Sequence, residues 1–236
     1  MKNLLVVISS LVFIPLFTSD AKAAGADDPL LFMLKFDELE LRDGDEGTVT
    51  AWKGHFWAGK DLNKLWIKSE GERLHGDTEN AEFQLLYSRA VDANWDLQLG
   101  LRHDSKPEPT RDWFAIGFYG LAPYFFEVDS AVFVNDDGQV NLRVDVEYEW
   151  MLTQKWVLAP ELKVNWFSKD DDDLDIGSGF ADIEAGLRLR YEITRQIAPY
   201  IGIHYERLLG NTRDIARDEG EDTGDTQAVA GIRFWF

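Results

Sequence analysis

The 236-residue chain contains no cysteine, so an exported protein of this sequence gains nothing from disulfides and depends on backbone pairing and burial. After residue 23 it also lacks any uninterrupted apolar run of the ~18–20 residues a spanning helix requires, because charges break every later apolar stretch within a few positions. Positive charge is scarce: 24 Lys and Arg stand against 43 Asp and Glu, a formal net charge of −19. Phosphate backbones are bound by Lys and Arg, so nucleic acid is not expected as a partner. Histidine is scarce as well, with four residues in four separate segments. Without a Ser-rich or Asp–His pairing pattern there is no visible nucleophile with a positioned base, and the chain is not expected to be an enzyme.

What the chain does have begins with "MKNLLVVISSLVFIPLFTSDAKA": Lys2, an apolar stretch from Leu4 to Phe17, and the small residues Ala21 and Ala23 where a signal peptidase would cut. Residues 1–23 are therefore expected to be a cleaved signal peptide, 24–29 a short N-terminal segment, and 30–236 a single folded unit. Past Pro29 the apolar pattern has a period of two. In "VNLRVDVEYEW", Val140, Leu142, Val144, Val146, Tyr148 and Trp150 alternate with Asn141, Arg143, Asp145, Glu147 and Glu149. The alternation recurs in "ADIEAGLRLRYEI", in Trp95, Leu97, Leu99 and Leu101, and in Ala81, Phe83, Leu85 and Tyr87. Such runs predict about twelve strands, near 30–42, 48–58, 63–73, 80–90, 94–104, 111–121, 124–134, 139–151, 155–168, 179–193, 197–208 and 226–236. The faces of the first strand, "LLFMLKFDELEL", are ambiguous.

The connections alternate in length. "GKDLN", "VDAN", "LAP", "LTQ" and "TRQIA" are short, whereas "EGERLHGDTEN", "HDSKPEPTR", "SKDDDDLDIGSG" and "GNTRDIARDEGEDTGD" are longer and richer in charge; the tight "NDDG" is the exception. That asymmetry is the pattern of an outer-membrane barrel with a periplasmic start and finish. A soluble barrel with an apolar core is the competing arrangement, but about twelve strands enclose a lumen too wide for Val, Leu and Ala to fill without voids. The expected fold class is thus all-β, a transmembrane antiparallel β-barrel with charged side chains inside and apolar ones toward lipid, its partners being the lipid bilayer and lipopolysaccharide of the outer membrane. Trp113, Tyr119, Tyr124, Trp150, Trp156, Trp166 and Tyr200 fall at strand ends and suit interfacial girdles. Phe234 and Phe236 share the apolar face of the last strand, and "G-x-x-aromatic-x-aromatic" from Gly231 is similar to the insertion signal of bacterial outer-membrane barrels.

Three blocks carry a more specific likeness. In "GKDLNKLWIKSEGE" (Gly59 to Glu72), "RHDSKPEPTRDWFAIGFYGLAPYFFEVDSAVFVNDDG" (Arg102 to Gly138) and "YIGIHYER" (Tyr200 to Arg207), together with "LAPELKVNW" and the closing "FWF", the chain resembles the copper resistance protein B family, in register from about Leu30 to Phe236. The resemblance implies an outer-membrane barrel that binds copper ions and takes part in copper tolerance or movement alongside periplasmic copper-handling proteins. One departure matters. Known members carry a Met- and His-rich stretch ahead of the barrel, soft and imidazole ligands suited to copper, whereas residues 24–29 here read only "AGADDP" and the whole chain has three Met. Copper chemistry is then expected in the barrel or in a partner.

Within the barrel, His204 shares the polar face with Tyr200, Gly202 and Glu206; His55 falls on the lumen face of the second strand; Met33 joins Lys35 and Asp37 if that strand's faces are read so. A His with a nearby carboxylate or Met is a reasonable copper site, so the metal candidates are His204, Glu206, His55 and Met33, the alternative for each His being a hydrogen-bonded network. His75 and His103 lie near the extracellular rim, where solvation accounts for them. The lumen residues of mixed sign, among them Lys68, Glu70, Glu72, Arg102, Arg143 and Arg188, allow either a constricted conduit or simple interior filling. The loops "KDDDDLD" and "RDEGEDTGD" would concentrate cations at the mouth or merely be solvated, and "DDDDLD" lacks the glycine and final glutamate of an EF-hand loop. Two functions remain open: a copper-handling protein, or a small-solute pore with no metal preference.

Overall fold

Side-chain alternation organises nearly every residue of the computed structural model, which describes residues 29–45 and 47–236. The expected signal peptide, 1–23, and nearly all of the segment 24–29 lie outside the described residues. The chain runs as a meander: β1 (Leu31–Gly44), β2 (Gly47–Gly59), β3 (Asn63–Leu74), β4 (Asp77–Asp92), β5 (Trp95–Lys106), β6 (Arg111–Ala122), β7 (Phe126–Asn135), β8 (Val140–Glu147), β9 (Trp150–Met151), β10 (Trp156–Phe167), β11 (Gly179–Tyr191), β12 (Ile197–Leu208), a helix α1 (Gly210–Glu219) and β13 (Gly224–Trp235). All pairings are antiparallel, and β13 closes the ring by pairing with both β12 and β1. β8 and β9 lie end to end along β10, so thirteen segments form twelve staves of one closed barrel. Apart from that interrupted stave, each has at least the 9–11 residues that cross a bilayer at a tilt, β7 being the shortest with 10.

The two faces of the sheet have opposite chemistry. Leu85, Leu101, Phe114, Ile116, Phe118, Ile201 and Ile203 stand exposed on the outer wall, while Lys35, Glu38, Glu40, Arg42, Arg102, Arg188 and Arg190 are buried inside. This inversion of the soluble-protein rule is what a hydrocarbon surround selects. At the seam, Phe236 exchanges both backbone hydrogen bonds with Leu34 at 2.9 Å, and Phe234 stacks on Phe36 with ring centroids 5.0 Å apart. The terminal aromatics are therefore part of barrel closure.

The ambiguity of the first strand has a structural cause. The β1–β2 register shifts between Phe36 and Glu38, a bulge that puts Lys35 and Asp37 inward before it and Glu38, Glu40 and Arg42 inward after it. One extra residue reverses the phase of the alternation, so no single period of two fits "LLFMLKFDELEL". The strand expected at 139–151 is likewise divided. Pro160 of β10 stands opposite Tyr148: its carbonyl accepts the Tyr148 N–H at 3.0 Å, but it has no N–H to return, and the ladder lapses between β8 and β9.

Three further expectations are corrected. "EGERLHGDTEN" is not a long loop: β3 and β4 continue to a two-residue hairpin at His75 and Gly76, whose φ values of 52° and 98° are those of the turn that matches strand twist. "GNTRDIARDEGEDTGD" holds α1, with Thr212 and Ala216 buried on it and Gly220 in the left-handed conformation capping its end. The Thr212 hydroxyl oxygen accepts the Gly177 N–H at 3.0 Å, so α1 and the 168–178 loop form one packed cap over part of the rim. Finally, Trp113, Tyr119 and Tyr200 are not girdle residues. They point inward, where the Trp113 indole donates to Asp104 at 2.8 Å, the Tyr119 hydroxyl to Glu127 at 2.5 Å and the Tyr200 hydroxyl to Glu40 at 2.8 Å. In "DWFAIGFYG" both faces are apolar, so hydropathy alone left the phase of β6 undetermined. Tyr124, Trp150 and Trp156 do lie exposed on the outside.

Candidate functional site

The inward rows of twelve staves meet in the bore, and their charges pair across it. Lys53 of β2 reaches the opposite wall, donating to Asp145 of β8 and to Glu161 of β10, the latter at 2.6 Å. Arg143 of β8 returns the span to Glu70 of β3 at 2.8 Å and Glu82 of β4 at 3.0 Å. Lys163 of β10 reaches Glu70 and Glu184, and Lys68 of β3 reaches Asp129 of β7. Beside this crossing lies a second cluster, built on the bulged half of β1. Glu40 accepts from Arg42 at 2.6 Å and from Arg188 at 2.9 Å, while Glu38 accepts from the same two guanidiniums at 3.0 and 2.8 Å. Paired charged side chains thus cross the middle of the barrel.

Among the described residues, three cavities within this packing follow one another along the bore. Nearest the loop-bearing rim, one of about 80 Å³ is lined by Glu72, Glu184, Glu206 and Arg42. A second of about 80 Å³, deeper in, is lined by His55, Asp37, Asp129 and Tyr119. Each has room for a few waters at ~30 Å³ apiece. The third, about 340 Å³, opens beside Met33, Trp57 and Lys64 toward the end where both termini lie. Lys53 and Glu70 line both the first and the second; Tyr119 and Glu127 line both the second and the third. Carboxyl groups outnumber cations in the lining itself: seven carboxyl groups and three cationic side chains line the second cavity, and six and three line the first, while Lys35, Arg102, Arg190 and Arg233 behind the second and Arg188 behind the first pair with several of these carboxylates.

The four residues singled out from the sequence all face this bore, but they do not converge. Glu206 lines the first cavity, His55 the second and Met33 the third. His204, 3% exposed, lies 4.0 Å from Glu184, with its Nε2 3.2 Å from Arg42 Nη1. A guanidinium only donates, so that imidazole nitrogen accepts, and His204 is the neutral tautomer protonated at Nδ1. A metal ion there would have to displace Arg42. His55 is different. Its ring packs on Trp66 at 4.9 Å, its Nδ1 lies 3.6 Å from Asp37, and its Nε2 is buried without a hydrogen-bond partner. Among the described residues no group of three or more His, Asp and Glu is already drawn together as a metal site. Sequence reading passed over Lys53, Glu161 and Lys163. The last two were legible as inward residues from the alternation of "LAPELKVNW", but which wall they face depends on closure of the whole ring.

Outside the bore, His75 forms the β3–β4 turn, and His103 makes a 2.7 Å contact with Asp112 on the exposed outer wall. In the acidic 168–178 loop, the Ser178 N–H donates to Asp170 at 2.6 Å and holds that carboxyl below its usual range. Arg111 clamps Asp171 at 3.0 Å, so this loop is tied to the rim through its own carboxylates.

Comparison with known proteins places these features. Residues 30–236 match the family model described as copper resistance protein B precursor. The chain is 42% identical over 230 residues to copper resistance protein B of Escherichia coli, covering 94% of this chain and 78% of that one. It is 41% identical over 200 residues to the copper resistance protein B homolog of Pseudomonas syringae pv. tomato, covering 85% and 68%. Among solved structures, the NanC porin superposes with a TM-score of 0.51 at 14% identity, covering 86% of this chain and 99% of that one, a likeness of fold alone. Barrel architecture and relatives together locate the protein in the bacterial outer membrane.

Proposed function

The chain belongs to the copper resistance protein B family, and from that premise we propose that it binds copper ions within the bore of its outer-membrane barrel and passes them through it. The observation that supports this reading is the series of small carboxylate-lined cavities, the middle one lined by a buried imidazole whose Nε2 has no partner. Imidazole and carboxylate suit Cu(II), and thioether suits Cu(I). His55 is the first candidate ligand, with Glu206 and Met33 serving the adjoining cavities and His204 available only once Arg42 moves aside. We read the protein as a binding and transport element, delivering to periplasmic copper-handling proteins at the end that carries the termini.

A pore without metal preference is the rival reading, and the ion pairs spanning the bore argue against it. Growth separates the two. Cells lacking the protein should shift their tolerance for copper more than for zinc or nickel, and an equal response to all three metals would reject the copper reading.

A further inference from the structure

We propose that Lys53 is the gate of a cation path through the barrel, its ammonium occupying the position that a travelling metal cation takes in turn. Three observations converge on this one side chain. It is the cation common to the first and second cavities, standing with Glu70 where they adjoin. It crosses from β2 to carboxylates on β8 and β10, so its side chain spans the bore between the two cavities it lines. Carboxyl groups outnumber cations in the lining of both cavities, and removing the lysine charge leaves Asp145, which lines the second, and Glu161, which lines the first, each with one cationic partner fewer.

A cation arriving in the first cavity competes with the ammonium for Asp145 and Glu161. Because the lysine stem is long and its head a compact charge, it can swing aside without moving the backbone. The entering ion then holds the same carboxylates, and the path continues into the cavity beside His55. Charged side chains around a narrow bore select the sign of the permeant ion, and binding that is shared among several sites lets the ion leave again. The onward step passes Tyr119 and Glu127, whose hydrogen bond stands between the second and third cavities.

This inference rests on reading the bore as a path for cations, and it does not require copper to be the cargo. The test is planar-bilayer conductance of the full-length protein in copper-free potassium chloride, comparing wild type, K53M and D145N, each verified as folded by its heat-modifiable gel mobility. Wild type should be nearly closed. K53M should conduct at least about tenfold more, the factor given by lowering a barrier by ~1.4 kcal/mol, with a reversal potential favouring potassium over chloride. D145N keeps the lysine but removes one anchor, and should give brief openings of the same selectivity. Conductance of K53M and D145N indistinguishable from wild type, or openings selective for chloride, would overturn the gate. An open K53M channel together with equal growth responses to copper, zinc and nickel would reject copper as cargo while leaving the gate standing; unchanged conductance with a copper-specific growth response would do the reverse.

Discussion

Glu40→Ala is the sharpest stability probe of a packed bore. The carboxylate is fully buried and accepts from Arg42 at 2.6 Å, from two nitrogens of Arg188 at 2.9 Å each and from Tyr200 at 2.8 Å. Removing one partner of a buried ion pair generally costs ~3–5 kcal/mol, because the remaining charge stays desolvated. Here both guanidiniums keep Glu38, and each has a further carboxylate, Glu72 for Arg42 and Glu161 for Arg188, so the loss should fall near the lower end, about 3 kcal/mol. Equilibrium unfolding by urea in lipid vesicles, followed by tryptophan fluorescence, measures it. Arg213→Ala on the exposed face of α1 is the control: its pair with Asp214 is solvated and should contribute about 0–1 kcal/mol. If Glu40→Ala costs no more than that control, the bore is wet and screened, and the description of a packed ionic interior is wrong.

Other outcomes follow from the same geometry. Leu85→Arg places a charge near the middle of β4 on the lipid-facing wall and should destabilise the barrel by ~2–4 kcal/mol in the same unfolding assay; a change under about 1 kcal/mol would mean that this face does not meet hydrocarbon. His55→Ala should reduce copper bound by the purified barrel at sub-saturating concentration by about tenfold or more, read by equilibrium dialysis, whereas His75→Ala in the β3–β4 turn should not. Because the Asp170 carboxyl is held below its ordinary value, its contribution to loop order is present above the usual Asp range of ~4 and is lost as pH falls through its depressed value. Protease cleavage within 168–178 should therefore accelerate on acidification, and Asp170→Asn should cleave readily at every pH.

Barrel architecture was legible because lipid and a polar bore impose opposite chemistries on alternate residues, and Val140–Glu147 and the stretch 182–191 of β11, past the register shift at Ala181, display that alternation without interruption. Legibility failed where the contrast vanished or slipped. Around Trp113 both faces are apolar, and around Phe36 a bulge shifts the phase by one residue. The hairpin at His75 and Gly76 was hidden because charged residues flank it, and charge near a turn reads as loop although here Glu72 and Glu82 point into the bore. The helix α1 depends on its contact with the 168–178 loop, a tertiary support that its own charged sequence does not announce. Inward position identified His204, Glu206, His55 and Met33 as candidates, but their distribution over successive cavities, and the role of Lys53 between them, depend on which staves oppose one another after closure.

The most direct measurement is anomalous diffraction at the copper edge from crystals of the full-length protein soaked in copper. A peak is expected inside the barrel, beside His55 Nε2 and within the chain of carboxylate-lined cavities. Copper confined to the acidic loops of the rim, with the neighbourhood of His55 empty, would contradict it.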